Sequence, residues 1–230
     1  MKIDSTNRTI VNIVGGPLII FSILFNEITF YILIFTVLFF SLYEYISLIR
    51  NKSKLTVYKL FLGFFWISLI LSFLPIYNIE MVGKNFVLII FLSVWITDSM
   101  AFIMGKSFGK KKIFPTVSPN KTWVGSISGL VYSILFLFFI FYFIHSPEQT
   151  LYNIFPKQFK ASDVFFIAFI VGFFGQLGDF LESYFKRKLN VKDSSKLLLG
   201  HGGFLDRFDS MFTVSITIYL YLLLNGYYNG

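Results

Sequence analysis

Apolar runs long enough to cross a membrane alternate with short polar segments along most of the chain. The runs cover residues 10–25, 28–49, 58–77, 86–105, 123–145, 163–181 and 204–225. A transmembrane helix needs about 20 mostly apolar residues. The first run is short and contains Gly15, Gly16 and Pro17, so we expect a broken or re-entrant helix there. The pattern predicts an all-α integral membrane protein with about seven transmembrane helices.

The composition supports this fold class. Of the 230 residues, 56% are hydrophobic, 21% are aromatic and only 14% are charged. Soluble domains use about 45–50% apolar and 25% charged residues, so a soluble core has no room for this many apolar side chains. The sequence has no cysteine, which excludes disulfides, thiolate nucleophiles and cysteine metal sites. No internal repeat or soluble domain is visible, and we expect residues 1–230 to form a single transmembrane domain.

The basic residues predict the orientation of the helices, because cytoplasmic loops are enriched in Lys and Arg. If the seven runs alternate in direction, Lys84, Lys157 and Lys160 lie on one side, and most of the other basic residues lie on the opposite side. That second group is Lys2, Arg8, Arg50, Lys52, Lys54, Lys59, Lys106, Lys110, Lys111, Lys112, Lys121, Lys186, Arg187, Lys188, Lys192 and Lys196. We therefore expect a plasma-membrane protein whose N-terminus and whose loops 105–122 and 182–203 face the cytoplasm.

Acidic residues within the apolar runs gather at the same end. Asp98 lies late in the fourth run, Asp179 and Glu182 close the sixth, and Asp206 and Asp209 open the seventh. Acids at membrane depth are costly and are functional hypotheses by default. The spacing of Asp179, Glu182, Ser183 and Lys186 places them on one helical face, and Asp206 and Asp209 share another. The predicted active site therefore lies at the cytoplasmic helix ends.

The chemistry of this group favours phosphoryl transfer. Carboxylates without His or Cys partners suit Mg²⁺, which commonly uses one or two carboxylates together with substrate phosphates. Basic side chains and glycines surround the acids, namely Lys121, Lys186, Arg187, Lys192, Arg207, Gly200, Gly202 and Gly203. A single basic residue is more often a lipid-headgroup anchor, and Asp206 alone could cap a helix. Neither explanation accounts for the whole cluster, which indicates a nucleotide or polyphosphate substrate.

Several segments carry a family resemblance. They are Ser183-Tyr-Phe-Lys186-Arg187, Lys192-Asp193, His201-Gly202-Gly203-Phe-Leu-Asp206-Arg207-Phe-Asp209, Trp95-Ile-Thr-Asp98-Ser-Met-Ala101, Ser118-Pro-Asn-Lys121-Thr122-Trp123 and Gly178-Asp179-Phe-Leu-Glu182-Ser183. This pattern resembles the phosphatidate cytidylyltransferases, also called CDP-diacylglycerol synthases. The resemblance covers about residues 86–225, the expected catalytic spans and loops, and it leaves 1–85 as poorly matched N-terminal spans.

The resemblance implies a Mg²⁺-dependent reaction of phospholipid biosynthesis, in which CTP and phosphatidic acid give CDP-diacylglycerol and pyrophosphate. It implies that Asp179 and Asp206 hold the metal centre, which can include a second ion such as K⁺. The implied catalytic residues are Asp98, Lys121, Lys186, Arg187, His201, Arg207 and Asp209. The implied substrate-binding residues are Ser118, Thr122, Ser183, Lys192, Asp193, Gly202 and Gly203. Besides these substrates and membrane lipid, a homodimer is compatible with the sequence, and no nucleic acid partner is expected.

One position departs from the family pattern, and two rival functions remain open. The family usually has Glu after the Ser-Pro-x-Lys-Thr-Trp run, where this chain has Val124. The protein must do without that acid or use another, such as Glu44. One rival function is CTP-dependent transfer to a different lipid phosphate or to a polyprenol. The other is an ion-coupled transporter, which would place its acids at the bilayer midplane in paired halves.

Overall fold

The computed structural model of the protein describes residues 5–52, 56–80, 83–145, 153–156, 158–198 and 202–227. Its α-helices are α1 (Ser5–Phe25), α2 (Glu27–Lys52), α3 (Val57–Ser68), α4 (Phe73–Tyr77), α5 (Gly83–Phe108), α6 (Trp123–Phe139), α7 (Ala161–Lys188) and α8 (Leu205–Leu224). A 3₁₀ turn at Leu69–Ser72 joins α3 to α4, and a π-helical turn at Ile140–Ile144 extends α6. The only β pairing among the described residues is an isolated bridge between Lys112 and Thr122.

The predicted all-helical membrane fold is confirmed. Six segments of the described chain are long and apolar enough to cross a membrane: Glu27–Lys52, Val57–Tyr77, Gly83–Phe108, Trp123–Ile144, Ala161–Lys188 and Leu205–Leu224. The first predicted run belongs to α1, a continuous helix with Pro17 inside it, so the break considered for that run is absent. A proline removes one backbone donor, and a helix packed against its neighbours can tolerate that loss.

Helix α7 continues beyond the predicted end of its apolar run at 181. It reaches Lys188, and its last turns are amphipathic, with one buried face and one exposed face. Glu182, Ser183 and Lys186 are buried there, whereas Lys188 is exposed. Hydropathy alone marks the end of the apolar stretch, but the helix extends past it and carries the predicted polar face.

Small residues allow the helices around this polar face to approach closely. A Cβ atom added at Gly129 of α6 would meet the carbonyl oxygen of Thr97 and the side chain of Ala101, both on α5. At Gly178 of α7, an added Cβ would meet the carbonyl oxygen of Asp209 on α8. Glycine at helix crossings brings backbones together in membrane proteins. The Gly178 crossing therefore places Asp179, the next residue of α7, beside Asp209 of α8.

Aromatic side chains pack the interior and also cover the outer surface. Phe30, Phe73, Phe86, Phe91 and Phe212 are fully buried or nearly so. Many others are exposed, as a lipid-facing surface requires. In lipid, burial between helices stabilises mainly through van der Waals packing, since the surrounding acyl chains are equally apolar.

Candidate active site

One large cavity opens where the polar ends of α5, α6, α7 and α8 meet, and residues of α1 and α2 complete its lining. Its volume is about 1380 Å³. Nine of the predicted site residues line it: Asp98, Ser118, Lys121, Thr122, Asp179, Lys186, Asp206, Arg207 and Asp209. These side chains come from three helices (α5, α7 and α8) and from the segment between α5 and α6, so the fold gathers residues that are far apart in the sequence.

The first half of the polar wall is an acidic group around Lys121. The ammonium nitrogen of Lys121 lies 2.5 Å from a carboxylate oxygen of Asp179, and these side chains are 24% and 30% exposed. Asp98 and Asp209 interact electrostatically with Asp179 and with Lys121. The same Lys121 nitrogen lies 4.2 Å from the centre of the Phe180 ring, a cation–π contact. Three carboxylates therefore share one neighbourhood with a lysine.

The second half is a buried ion cluster centred on Lys186. Its ammonium nitrogen lies 2.5 Å from Glu182 and 2.7 Å from Asp206. The Glu182 side chain is fully buried, and the Lys186 and Asp206 side chains are 11% and 9% exposed. An ammonium group has three donors, so two carboxylates leave one N–H of Lys186 for a ligand in the cavity. The sequence placed Glu182 on one helical face with Lys186 and among the acids at this end of the helices, but it assigned Glu182 no catalytic, binding or metal role.

Asp206 is held by the segment that precedes α8. Its oxygens accept hydrogen bonds from the backbone N–H of Ser194 (2.9 and 3.1 Å) and of Gly203 (2.7 Å), and also from the Ser194 hydroxyl (2.9 Å). Gly202 has φ +81°, a left-handed conformation that favours glycine. Gly202 and Gly203 shape the turn that presents a backbone N–H to Asp206, and their predicted part in substrate binding stays a prediction. Both are buried and lie outside the cavity wall.

Other predicted site residues have structural partners. Thr122 caps α6 by accepting a hydrogen bond from the backbone N–H of Gly125 at 3.1 Å. The Ser183 hydroxyl donates to Asp179 at 3.3 Å. Arg187 donates to the carbonyl oxygens of Val117 (3.1 Å) and Val191 (2.8 Å), so it joins the segment before α6 to the end of α7. The assignment of Arg187 to phosphate charge stays a prediction.

The remaining predicted residues lie away from the cavity or outside the described chain. Lys192 and Asp193 are exposed and do not line the cavity. His201 lies outside the described residues. Glu44, considered as a replacement for the acid absent at Val124, is buried and hydrogen-bonds to the segment around Ser194 and to the start of α8.

The acidic group around Lys121 has the donor chemistry that a magnesium ion requires. Asp98 is exposed to the cavity, and within the described part of the chain its carboxylate forms no hydrogen bond or ion pair. Mg²⁺ binds through one or two carboxylates and fills its other positions with water and phosphate oxygens. No three His, Cys, Asp or Glu side chains of the described residues form a ready-made metal site. Asp98, Asp179 and Asp209, together with Asp206 on the same cavity wall, therefore suit a hard cation that substrate phosphates help to hold.

The fold and the cavity define a polytopic membrane protein whose acidic and basic side chains meet at one end of its helices. The chain belongs to the cytidylyltransferase family, which it matches over residues 52–225. This confirms the resemblance read from the motifs, and it leaves α1 and nearly all of α2 before the start of the match.

Individual relatives point the same way. The chain is 40% identical over 144 residues to the phosphatidate cytidylyltransferases of Staphylococcus saprophyticus and Staphylococcus aureus. It is 38% identical over 144 residues to that of Staphylococcus epidermidis. Each alignment covers 63% of this chain and 51% of the relative. The chain thus spans about half the length of the curated relatives it matches.

Proposed function

We propose that this protein transfers a cytidylyl group from CTP to phosphatidic acid, giving CDP-diacylglycerol and pyrophosphate for phospholipid synthesis. A phosphate oxygen of the lipid attacks the α-phosphorus of CTP. The bond from that phosphorus to the oxygen that bridges it to the β-phosphorus breaks, and pyrophosphate leaves. The observation that carries the proposal is the meeting of the family's two motif regions, 95–123 and 178–209, in one cavity lined by acids and basic side chains.

The proposed division of labour combines what the family resemblance implies with the chemistry of the side chains. Asp179 and Asp206 would hold Mg²⁺, with Asp98 and Asp209 beside them and a monovalent ion such as K⁺ as a second occupant. When bound, the metal would neutralise phosphate charge and stabilise the leaving pyrophosphate. Lys121, Lys186 and Arg207 line the same cavity and supply positive charge for phosphate oxygens. No nucleophilic side chain is required, since the lipid phosphate is itself the nucleophile.

The cavity has a second, apolar part that suits the lipid substrate. Leu18 and Ile19 of α1 and Ile32 and Leu33 of α2 line it, together with Phe102 of α5. A phosphatidic acid molecule has a doubly charged headgroup and apolar acyl chains, so one cavity with a charged end and an apolar end accommodates both. We propose that the headgroup lies among the basic side chains and that an acyl chain lies along α1.

Gly16→Leu tests this lipid site. Gly16 lines the cavity, and a Cβ atom added there meets no other atom within 4 Å, so a leucine would occupy space assigned to the acyl chain. The KM for long-chain phosphatidic acid is expected to rise about 10-fold, since one or two misplaced methylenes in a lipid pocket have effects of this size. The KM for CTP should not change. Folding is expected to be intact because leucine favours helix more than glycine does.

The matched control is Val14→Leu on the same helix. Val14 is 56% exposed and does not line the cavity, so this variant adds bulk outside the site. An unchanged lipid KM in Gly16→Leu, or an equal rise in Val14→Leu, would refute the acyl-chain site.

The leaving group distinguishes cytidylyl transfer from the CTP-dependent kinase reaction. Purified protein is incubated with Mg²⁺, CTP and phosphatidic acid, and the released nucleotide and pyrophosphate are quantified. The proposal requires one pyrophosphate for each CTP consumed, whereas a polyprenol kinase would release CDP. A transporter would consume no CTP, and the clustering of the acids at one end, rather than in paired halves, speaks against it.

The cytoplasmic orientation of the site is also a proposal, and cysteine labelling tests it. The protein has no native cysteine, and Ser107 is exposed in the last turn of α5. In intact cells, a membrane-impermeant maleimide is expected to leave Ser107→Cys unlabelled and to label Asn225→Cys, just beyond α8. After permeabilisation both should react. Labelling of Ser107→Cys in intact cells would contradict the proposed orientation and indicate the opposite one.

A further inference from the structure

Glu44 is a buried acid in the part of the chain that precedes the family match. It lies late in α2 and is 1% exposed. Among the described residues, no Lys or Arg forms an ion pair with its carboxylate. A buried carboxylate without a cation is costly unless hydrogen-bond donors replace its water. The hydrogen-bond donors that stabilise the Glu44 carboxylate therefore indicate its structural role.

Four donors surround the Glu44 carboxylate, and all come from the segment that leads into α8. One oxygen accepts from the Ser195 hydroxyl (2.7 Å) and the Phe204 N–H (3.1 Å). The other accepts from the Ser194 hydroxyl (3.0 Å) and the Leu205 N–H (2.9 Å). The first N–H groups of a helix lack partners and carry partial positive charge. Phe204, the N-cap residue, has no capping side chain, so Glu44 caps α8 from another helix.

The same contacts connect Glu44 to Asp206. The Ser194 hydroxyl lies 3.0 Å from Glu44 and 2.9 Å from Asp206, and its single proton can serve only one of them at a time. The Ser194 N–H donates to Asp206 as well. Gly203, whose N–H donates to Asp206, lies against Glu44, and a Cβ atom there would meet the Glu44 carboxylate. Among the described residues, every donor that the segment offers to Asp206 therefore comes from Ser194 or Gly203, both in contact with Glu44.

We propose that Glu44 is a positioning residue for the reaction. It fixes Ser194, Ser195 and the start of α8, and it thereby orients Asp206 and maintains the Asp206–Lys186 pair in the cavity wall. It contacts neither the cavity nor its proposed ligands. The role links a helix outside the family match to the segment that carries the family motif. The inference rests on the proposed function, since cytidylyl transfer provides its kinetic readout.

Glu44→Gln tests this role with little change of size. In the variant, an amide NH₂ group replaces one carboxylate oxygen. It cannot accept the hydrogen bonds that the N–H and O–H groups donate to that oxygen, so part of the cap is lost. The Mg²⁺ concentration for half-maximal activity is expected to rise about 10-fold, in the range for lost partners behind metal ligands. Hydrogen exchange of the peptide amides in 202–209 should accelerate without any substrate. The matched control is Glu27→Gln, an exposed acid at the far end of α2, which should change neither quantity.

Ser194→Ala provides a second test, because it removes the serine hydroxyl between the two carboxylates and leaves the α8 amides bonded to Glu44. If Glu44 acts on Asp206 through Ser194, the variant that carries both Glu44→Gln and Ser194→Ala loses less activity than the two single-variant fold losses multiplied together. Independent, multiplicative losses, or unchanged exchange of 202–209 in Glu44→Gln, would overturn the proposal. Should Glu44→Gln not fold, Ser195→Ala, which removes one of the four bonds, is expected to shift the same two quantities in the same direction by less. If the wild-type protein transfers no cytidylyl group, the proposed function is refuted. The hydrogen-exchange measurement would still test whether Glu44 stabilises residues 202–209, because it needs no substrate.

Discussion

Asp179→Asn is expected to abolish cytidylyl transfer while leaving the protein folded. The substitution keeps the shape of the side chain and removes the negative charge that faces Lys121 and the proposed metal. Losing a ligand that stabilises the transition state by several kcal/mol lowers the rate by about 10³-fold or more. The ion pair with Lys121 is partly exposed, so its loss costs about 1 kcal/mol of stability or less.

Two measurements separate these effects. Initial rates are compared at Mg²⁺ concentrations up to saturation, and thermal unfolding is followed in detergent. Glu80→Gln, an exposed acid at the opposite end of the bundle, is the control and should retain full activity. Substantial activity of Asp179→Asn at ordinary Mg²⁺ would remove this residue from the metal site.

Lys186→Met is expected to reduce stability as well as activity. The methionine fills similar space but leaves Glu182 and Asp206 without their shared cation in a buried setting. Removing one member of a buried ion cluster costs about 3–5 kcal/mol. The thermal unfolding midpoint in detergent should therefore fall well below that of the wild type.

A control and a compensating variant identify the cause of this loss. Lys188→Met changes an exposed lysine of the same helix and should leave the midpoint nearly unchanged. Adding Glu182→Gln to Lys186→Met removes one of the two unpaired charges and should restore part of the stability without restoring activity. If Lys186→Met unfolds at the wild-type temperature, the buried cluster does not support the fold as described.

The membrane fold could be predicted from the sequence because each span depends on local hydrophobicity. The run at 86–105 lies within α5 (Gly83–Phe108), and that at 204–225 nearly coincides with α8 (Leu205–Leu224). Helix ends were harder to place. The polar face of α7 continues the helix to Lys188 past its apolar run, and only tertiary packing decides how far such a helix extends.

The site was predictable where residues act through charge at a recognisable spacing. Asp98, Asp179, Asp206 and Asp209 were expected at one end of the helices, and the structure places all four in one cavity wall. The sequence could not reveal their separate partners. Asp179 faces Lys121, whereas Asp206 accepts hydrogen bonds from Ser194 and Gly203, and this difference depends on how the chain before α8 folds.

Glu44 shows most clearly what sequence patterns leave out. It lies about 150 residues before its hydrogen-bond partners Ser194 and Ser195 and belongs to no motif. From the sequence it was considered only as a replacement for the acid absent at Val124. Only the packing of α2 against α8 makes it the cap of a helix that carries the proposed catalytic acids.

The most direct test of the proposed activity is to follow the α-phosphate of CTP. Purified protein in detergent or liposomes is given Mg²⁺, phosphatidic acid and CTP labelled at the α-phosphate, and the lipids are separated and identified by mass spectrometry. The proposal predicts that the label moves into CDP-diacylglycerol, that this transfer requires both Mg²⁺ and phosphatidic acid, and that Asp179→Asn abolishes it. Active, folded protein that leaves the label in water-soluble nucleotide, or that transfers only the γ-phosphate to lipid, would contradict it.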